Sequence, residues 1–502
     1  MEINKILGIL KLSSNTCYTK DGHSYKLFHP FCKSIQPFLV KTKRTLAKGF
    51  VQAYDKRTQL KDVITLVNIK DKCVIEYYDN STIQDLPKLI GKANWTTYKK
   101  QVYPDIDLTP NRIDLTHLLS YTIDPENSQD RDDAISIEKN KDNYIIYIHI
   151  SDPTSYIEQD TQLDKELFER CYSLYLDKTY HMMPEEFAIN KISLTQDNIS
   201  RAFTCKVIYD ASYNLISYEF FKSNIKAINL TYEEADKLKE TILKDLYEFA
   251  KNIKYNYQQD YDIHEMVARY MILCNYLVGL YLKDDLSISR YNNTLYNHIT
   301  SDNISELDKL NNMCRYKRAE YSCTNHGHSI LGLEYYQHFT SPLRRYADII
   351  VHRILANKLS LITCNYTKDD IDKICNKLNS ISSLYKLCYQ IYNINLKITD
   401  FNDILSGTII FIDNSNIKIY IDKLDLVLSF DLISRKISEQ VGLIDNFELI
   451  DKSEVLHIQN NNTSFILKLY QEVKLKIYHN KLSNNIFTIE LLEPNLKDFL
   501  TV

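Results

Sequence analysis

The stretch DPENSQDRDDAISI, residues 124–137, decides how this chain is interpreted. It places four aspartates within ten residues, at Asp124, Asp130, Asp132 and Asp133. Carboxylates this close together repel one another and raise each other's pKa unless a cation lies between them. A folded chain can leave such a cluster in water, or it can use the oxygens as ligands for a hard divalent cation such as Mg²⁺.

Strand-like segments flank the acidic run. SYTID, which ends at Asp124, is a short and largely apolar strand that Pro125 terminates, and AISIE (134–138) resumes the alternation of a strand. The aspartates are therefore expected on a loop between two strands, aimed into one pocket, with Asp130 and Asp132 on a common face. A solvated acidic turn is the alternative, because charged residues mostly lie at the surface.

Spacing argues against other metal sites. An EF-hand calcium loop requires Gly and Glu at positions six and twelve, but counting from Asp124 these are Gln129 and Ile135. The 11 cysteines are scattered and odd in number, with no C-x-x-C pair. This pattern argues against both a zinc cluster and a disulfide framework.

Length and composition set the broad class of protein. At 502 residues the chain is long enough for two to four domains. Its net charge of -4 leaves nucleic-acid binding open, because phosphate binding depends on local potential and not on total charge. No apolar run is long enough to cross a bilayer and no signal-like segment begins the chain, so a soluble, cytoplasmic protein with no membrane partner is expected.

Strand and helix patterns divide the chain into four parts. Residues 1–85 are predicted to form a small β-barrel of short strands, and residues 86–110 an irregular connector. Residues 111–400 mix strands with long helices. Residues 401–502 return to strands and are predicted to form a five-stranded barrel of the OB type.

HFTSPLRRYADIIVHRIL is the second informative segment. Ser341 is a good N-cap and Pro342 suits the first helical position, which places Arg344 and Arg345 in the first turn. Basic side chains there oppose the helix dipole, so the pair predicts that an anion such as phosphate binds. Asp348 would steady both arginines, and a surface Arg–Asp ladder is the alternative.

Together the two segments carry the groups that metal-assisted phosphodiester hydrolysis requires. Carboxylates bind the metal ions that generate hydroxide and stabilise the leaving oxygen. Arginine neutralises charge on the phosphate oxygens. This combination favours the metal and phosphate interpretations over the solvated alternatives.

Both segments resemble the catalytic RNB domain of the ribonuclease II / ribonuclease R family, which includes the catalytic exosome subunit. Blocks in family order cover roughly residues 112–358: DLTHLLSYTIDPENSQDRDDAISI, YIIYIHISDPTSYI, SLYLDKTYHMMPEEFAINKISL, RAFTCKV, MILCN and KRAEYSCTNHGHSILGLEYYQHFTSPLRRYADIIVHRIL. The resemblance implies an α+β catalytic domain flanked by OB-type barrels that bind single-stranded RNA. It also implies 3′-to-5′ exoribonuclease activity with Mg²⁺, or alternatively Mn²⁺, releasing nucleoside 5′-monophosphates.

The resemblance also assigns roles to the aspartates. By motif position Asp124, Asp130 and Asp133 are expected metal ligands. Asp132 is expected to be the carboxylate most needed for the chemical step. How the four divide the metal ions is left open.

Further roles fall on the arginine segment and one tyrosine. Arg345, in preference to Arg344, is expected to polarise the scissile phosphate. Tyr175 is expected to stack on the 3′-terminal base, although a core position is the alternative in a chain with 39 tyrosines. Three more side chains are expected to line the same site: Tyr336, His338 and Ser341.

Two other functions are weighed against the exoribonuclease. A non-catalytic RNA-binding protein on the same scaffold is disfavoured because all four aspartates are present. A DNA-directed or endonucleolytic two-metal enzyme is disfavoured because the narrow channel implied by the family admits a single-stranded end. Pro153, Phe187 and Ile192 depart from family patterns without touching the charged residues. A monomer is expected, and association with a larger RNA-processing complex is left open.

Overall fold

The computed structural model describes seven strands within the first 78 residues and most of the chain thereafter. The later described ranges are 86–96, 98, 107–196, 198–255, 261–293, 305–315, 318–397, 404–412, 416–431, 446–448, 455–459, 464–479 and 487–493. Two compact units result. One comprises residues 1–89, 301–316 and 391–502, and the other comprises residues 90–300 and 317–390.

The amino-terminal strands close into a barrel. They are β1 Gly8–Lys11, β2 Thr16–Thr19, β3 Ser24–Leu27, β4 Phe38–Lys41, β5 Gly49–Tyr54, β6 Lys61–Ile69 and β7 Lys72–Tyr78. Neighbours follow the order β1-β2-β3-β4-β7-β6-β5, and a parallel pairing of β1 with β5 closes the ring. That this barrel is of the OB type and binds RNA stays a prediction.

The segment predicted as an irregular connector, residues 86–110, instead begins with a helix, α1 Leu86–Lys92. Trp95 follows it with no exposed surface, and its indole Nε1 donates to the Tyr172 carbonyl at 2.6 Å. The first part of the segment is therefore packed, because a buried tryptophan fixes the chain around it.

The central unit is built on a mixed sheet. The strands of this unit are β8 Ile113–Asp114, β9 Ser120–Asp124, β10 Asp133–Lys139, β11 Asn143–Ser151, β12 Leu174–Tyr175, β13 Thr179–Tyr180, β14 Ile199–Asp210, β15 Leu215–Thr231, β16 Ser289–Tyr291 and β17 Glu320–Ser322. β12 pairs with β13, and β16 with β17, in two small separate sheets. The large sheet has the order β14-β11-β10-β9-β15-β8, and β14 also pairs with β15. β9 runs parallel to β15 and antiparallel to β10, so both ends of the acidic loop are fixed in one sheet.

The helices after α1 are α2 Gln162–Arg170, α3 Glu185–Phe187 (continued by a π-helical turn, Ala188–Ile192), α4 Tyr232–Leu238, α5 Lys244–Ala250, α6 Ile263–Tyr281, α7 Glu306–Arg315, α8 Tyr346–Lys358 and α9 Lys368–Lys397. All belong to the central unit except α7 and the part of α9 beyond residue 390, which belong to the other unit. α8 is buried on all sides from Tyr346 to Ala356, so it runs through the core. None of the helices in the described ranges combines the length and apolarity that a membrane span needs.

A buried ion triad lies in the central unit. The Asp152 carboxylate, which has no exposed surface, binds Arg112 Nη2 at 2.9 Å and Lys222 Nζ at 2.7 Å. Burial opposes ionisation, but the two cations hold the pKa of Asp152 well below its usual range. The triad links strand β15 to the segment that follows β11.

Strands return at the carboxyl end. They are β18 Ile404–Ile412, β19 Asn416–Ile421, β20 Leu426–Asp431, β21 Asn446–Glu448, β22 Val455–Gln459, β23 Ser464–Lys468, β24 Glu472–His479 and β25 Phe487–Glu493. One sheet has the order β20-β19-β18-β24-β25, and β21-β22-β23 form a second. Closure of the five-stranded sheet into an OB-type barrel stays a prediction.

Candidate active site

The acidic loop joins β9 to β10, as the strand pattern predicted. Burial raises the pKa of Asp124 to about 6, against the attraction of Arg131, whose Nε lies 3.8 Å from Asp124 Oδ2. Burial raises the pKa of Asp133 to about 7, and the nearby Asp124 charge adds to that rise. Because each carboxylate disfavours ionisation of its neighbour, the cluster gains stability from any cation that enters.

Asp132 connects the acidic loop to the arginine segment. Its side chain is nearly inaccessible, and Oδ1 accepts a hydrogen bond from the Leu343 backbone amide at 2.8 Å. Its other oxygen, Oδ2, lies 3.4 Å from Arg344 Nε. Burial raises the pKa of Asp132 well above its ordinary value, although Arg344 and the Leu343 amide both favour the anion.

Tyr175 lies beside the aspartates. Its hydroxyl donates to Asp130 Oδ2 at 2.9 Å, and burial together with the Asp130 charge raises the pKa of the phenol. The ring is half-buried at the end of β12, so the residue belongs to the site and is not a distant core tyrosine. Stacking of this ring on an RNA base stays a prediction.

The arginine segment differs from the predicted helix start. α8 begins at Tyr346, and its N-cap is Arg345, whose backbone is extended (φ -136, ψ 122). The predicted N-cap at Ser341, the helical position of Pro342 and the placement of both arginines in the first turn are therefore wrong. Residues 341–345 form a single turn closed by a hydrogen bond from the Arg345 amide to the Ser341 carbonyl at 3.0 Å.

Pairing with a distant segment explains this later start. The Tyr346 amide donates to the Cys171 carbonyl at 2.9 Å, and the Ser173 amide donates to the Arg344 carbonyl at 3.1 Å. An antiparallel bridge thus joins Tyr172 to Arg345. Because the pairing requires extended backbone at Arg345, the helix cannot extend back to Ser341.

The two arginines have different surroundings. The Arg344 side chain is 46% exposed, faces Asp132 and donates from Nη2 to Ser341 Oγ at 3.0 Å. The Arg345 side chain is 18% exposed and donates from Nη2 to the fully buried Asp348 at 2.8 Å. Asp348 steadies only Arg345 and also accepts from the Ser341 amide, so Arg344 is the more available cation of the pair.

Of the three remaining predicted site residues, one contacts Arg344 and the other two lie near Arg345. Ser341 contacts Arg344 directly. Tyr336 accepts a hydrogen bond from Asn275 Nδ2 at 3.2 Å, and burial raises the pKa of its phenol against the opposing effects of that hydrogen bond and of Arg345. His338 hydrogen-bonds through Nδ1 to the Tyr321 hydroxyl at 2.7 Å.

Sequence reasoning missed three contributors. The Leu343 amide leaves no side-chain signature, and Asn275, whose Oδ1 accepts from the Phe339 amide at 2.8 Å, lies on an apolar helix. Tyr232 begins α4 close to the cluster, and burial followed by the charges of Asp133 and Asp124 raises its pKa to about 12. Its neighbour Thr231 pairs with Asp124 across the sheet, which the structure alone reveals.

The donor chemistry of the cluster suits a hard divalent cation. Its candidate ligands are all carboxylate oxygens, and the buried Asp124 Oδ2 and Asp132 Oδ2 accept no hydrogen bond. The side chains are nevertheless not arranged as a complete coordination site: within the described ranges, no three acidic, His or Cys side chains converge closely enough to enclose a metal ion.

Comparison with known proteins places this geometry in a family. The model of the RNB domain matches residues 112–254 and 240–360. Ribonuclease R of Aquifex aeolicus is 28% identical over 371 residues, covering 56% of this chain and 52% of that protein. The chain spans about half the length of the curated relatives it matches.

Solved structures share the fold at low sequence identity. Mycoplasma genitalium RNase R in complex with ribose-methylated single-stranded RNA has a TM-score of 0.63 and 15% identity, covering 97% of this chain and 100% of that one. Yeast Ssd1, described as a pseudonuclease, has a TM-score of 0.60 and 15% identity, covering 87% and 78%. With its acidic loop and arginine segment both inside the matched residues, the chain belongs to the RNB-domain family of ribonuclease II and ribonuclease R.

Proposed function

We propose that this protein is an exoribonuclease that hydrolyses single-stranded RNA from the 3′ end and releases nucleoside 5′-monophosphates. The observation that carries the proposal is the direct contact between the two charged segments. Asp132, from the acidic loop, lies 3.4 Å from Arg344 and accepts from the amide of Leu343. A carboxylate and a guanidinium held together in this way can act on the same phosphodiester.

The roles follow from exposure and contacts. Arg344 is half-exposed beside Asp132, which makes it the better candidate to neutralise charge on the scissile phosphate. Arg345 is committed to Asp348 and positions the segment. Asp132, with its pKa raised by burial, is suited to accept a proton from the attacking water.

Two further groups complete the proposed site. Tyr175 presents a half-buried ring for stacking on the terminal base, while its hydroxyl orients Asp130. Asp124, Asp130 and Asp133 would hold the divalent cation, Mg²⁺ or alternatively Mn²⁺. When bound, it would supply a nucleophilic hydroxide and neutralise the leaving oxygen. The related ribonucleases and the RNA-bound relative support RNA as the substrate.

The second candidate is an RNA-binding protein without catalysis. The fold shared with a pseudonuclease and the lack of three converging acidic side chains in the described ranges both favour it. The four aspartates and the Asp132–Arg344 contact favour the enzyme. The two candidates predict different outcomes with RNA and Mg²⁺.

Single-stranded RNA and DNA of one sequence, each labelled at the 5′ or the 3′ end, would test the proposal in the presence of Mg²⁺. We expect immediate release of a labelled mononucleotide from 3′-labelled RNA and none from DNA. Asp132→Asn should reduce this rate at least about a hundredfold, whereas the exposed loop variant Asp142→Asn should match the wild type. RNA binding without turnover would support the binding protein, and internal cuts would contradict both.

A further inference from the structure

Arg290 is a second cation near the arginine segment. It lies on β16 directly opposite Tyr321 on β17, and its guanidinium carbon lies 4.4 Å from the centre of the Tyr321 ring. The Tyr321 hydroxyl hydrogen-bonds to His338 Nδ1 at 2.7 Å. This arrangement holds the guanidinium at a defined position, since stacking on an aromatic face fixes its plane.

Arg290 differs from comparable arginines in this unit. Arg112, Arg201, Arg269, Arg345 and Arg353 each form an ion pair with a carboxylate. In the part of the chain that the structure describes, no carboxylate forms an ion pair with Arg290. Within the described residues its guanidinium is held by the Tyr321 ring and not by a carboxylate, so it can pair with an anion that enters the site.

The surroundings of His338 are strongly positive. Its pKa is lowered well below the ordinary value, first by burial and then by Arg345, Arg290, His328 and Arg344. Asp348, the carboxylate that pairs with Arg345, also accepts from the Ser341 amide. Arg290 therefore adds positive charge near His338, alongside the two arginines of the arginine segment.

We propose that Arg290, held on the Tyr321 ring next to His338, forms a subsite that binds a backbone phosphate of the RNA strand other than the scissile one. A guanidinium binds phosphate oxygens through paired N–H groups, and its delocalised charge tolerates the partly desolvated position. This inference rests on the proposed function, because it assumes that RNA occupies the site beside Arg345.

Arg201 provides a matched control. Its guanidinium also lies 4.4 Å from a tyrosine ring, that of Tyr156, but a carboxylate, Asp107, already lies 3.5 Å from its Nε. Loss of either arginine removes one cation–π contact, and only Arg290 is proposed to meet phosphate. The comparison of Arg290→Gln with Arg201→Gln separates phosphate binding from loss of stacking.

Fluorescence anisotropy with a 5′-labelled single-stranded RNA, in EDTA to prevent cleavage, would test the subsite over a range of salt concentrations. For Arg290→Gln we expect roughly tenfold weaker binding and a salt slope smaller by about 0.7, the value for one phosphate contact on a single strand. Arg290→Lys should restore most of the slope, and Arg201→Gln should keep the wild-type slope. In a separate hydrolysis assay with Mg²⁺, unchanged inhibition of Arg290→Gln by free AMP would assign the phosphate to the RNA strand.

Several outcomes would overturn the subsite. An unchanged salt slope for Arg290→Gln, or an equal loss in Arg201→Gln, would show that Arg290 meets no phosphate. Loss of AMP inhibition in Arg290→Gln would assign the position to the product instead. If wild-type protein bound no RNA, the proposed function itself would fail, and that failure is visible before any variant is compared. If Arg290→Gln lowers the thermal midpoint, the salt slope of Arg290→Lys decides. A slope close to that of the wild type supports the subsite, and a slope reduced as in Arg290→Gln contradicts it.

Discussion

The carboxylate of Asp132 accepts a hydrogen bond from the amide of Leu343, which lies 2.8 Å away in space and 211 residues later in the chain. This bond joins the two charged segments directly. Because Asp132 is buried, the bond fixes the position of Arg344 relative to the acidic loop. The geometry of the proposed site thus depends on one amide that carries no side-chain signal.

The first prediction concerns this bond. Asp132→Asn keeps an oxygen that can accept from Leu343, whereas Asp132→Ala leaves a buried amide without a partner. The alanine variant should be less stable than the asparagine variant by about 1–3 kcal/mol, although both should be inactive. Urea unfolding of the two proteins would measure the difference, and equal midpoints would show that the bond contributes little.

The second prediction separates the two arginines. Arg345→Gln leaves the fully buried Asp348 without its ion-pair partner and should cost about 2–4 kcal/mol of unfolding free energy. Arg344→Gln removes a half-exposed side chain, so stability should change by less than about 1 kcal/mol while RNA hydrolysis falls sharply. Denaturation curves with single-turnover rates on the same samples would check this. An Arg345→Gln variant that is stable but inactive would instead assign the phosphate contact to Arg345.

The third prediction concerns the buried triad of Asp152, Arg112 and Lys222. Asp152→Asn leaves the buried Lys222 without a paired carboxylate and Arg112 with only Asp107, 3.8 Å away, and should destabilise the protein by about 3–5 kcal/mol. The exposed pair of Lys206 and Glu219 supplies the control, and Glu219→Gln should change stability by less than about 0.5 kcal/mol. Thermal unfolding would compare them. A small effect at Asp152 would mean that water reaches the triad.

The fourth prediction is a pH dependence from His149. This residue is fully buried between the Ser136 and Thr204 hydroxyls, at 3.0 and 2.8 Å, and burial lowers its pKa to about 3. The folded chain keeps the imidazole neutral, while the unfolded chain protonates it below about pH 6.5. Stability should therefore be lost as pH falls from about 6.5 toward 3, by about 1.4 kcal/mol per pH unit from this group.

His149→Gln removes that contribution, so its stability should fall less steeply with acid than that of the wild type. His117→Gln, at an exposed position, should keep the wild-type slope. Urea unfolding between pH 7 and 5 would measure the slopes. Identical slopes for wild type and His149→Gln would show that the imidazole is already charged in the folded protein.

The fifth prediction divides the two roles of Tyr175. Tyr175→Ala should weaken RNA binding by about 1–3 kcal/mol through loss of base stacking. Tyr175→Phe keeps the ring and should retain RNA affinity, but the loss of the hydroxyl frees Asp130 and should change the Mg²⁺ concentration needed for activity. Anisotropy with RNA and a Mg²⁺ titration would measure the two effects separately. Equal RNA affinity in the two variants would exclude stacking.

The sequence by itself determined the local elements that carry the charged residues, and the family to which the chain belongs. Alternation around residues 120–138 predicted the two strands that bound the acidic loop, because side-chain period and a terminating proline are local properties. The spacing of carboxylates and arginines predicted a metal and phosphate site. Family resemblance over consecutive blocks then placed the chain among RNB-domain proteins.

Tertiary structure alone decided where α8 starts and which arginine is available. Local signals favoured a helix from Ser341, but the bridge between Tyr172 and Arg345 requires extended backbone and moves the start to Tyr346. The same pairing turns Arg345 toward Asp348 and leaves Arg344 facing Asp132. Hydrogen bonds between segments more than 170 residues apart settle this choice, and no local preference in the sequence encodes them.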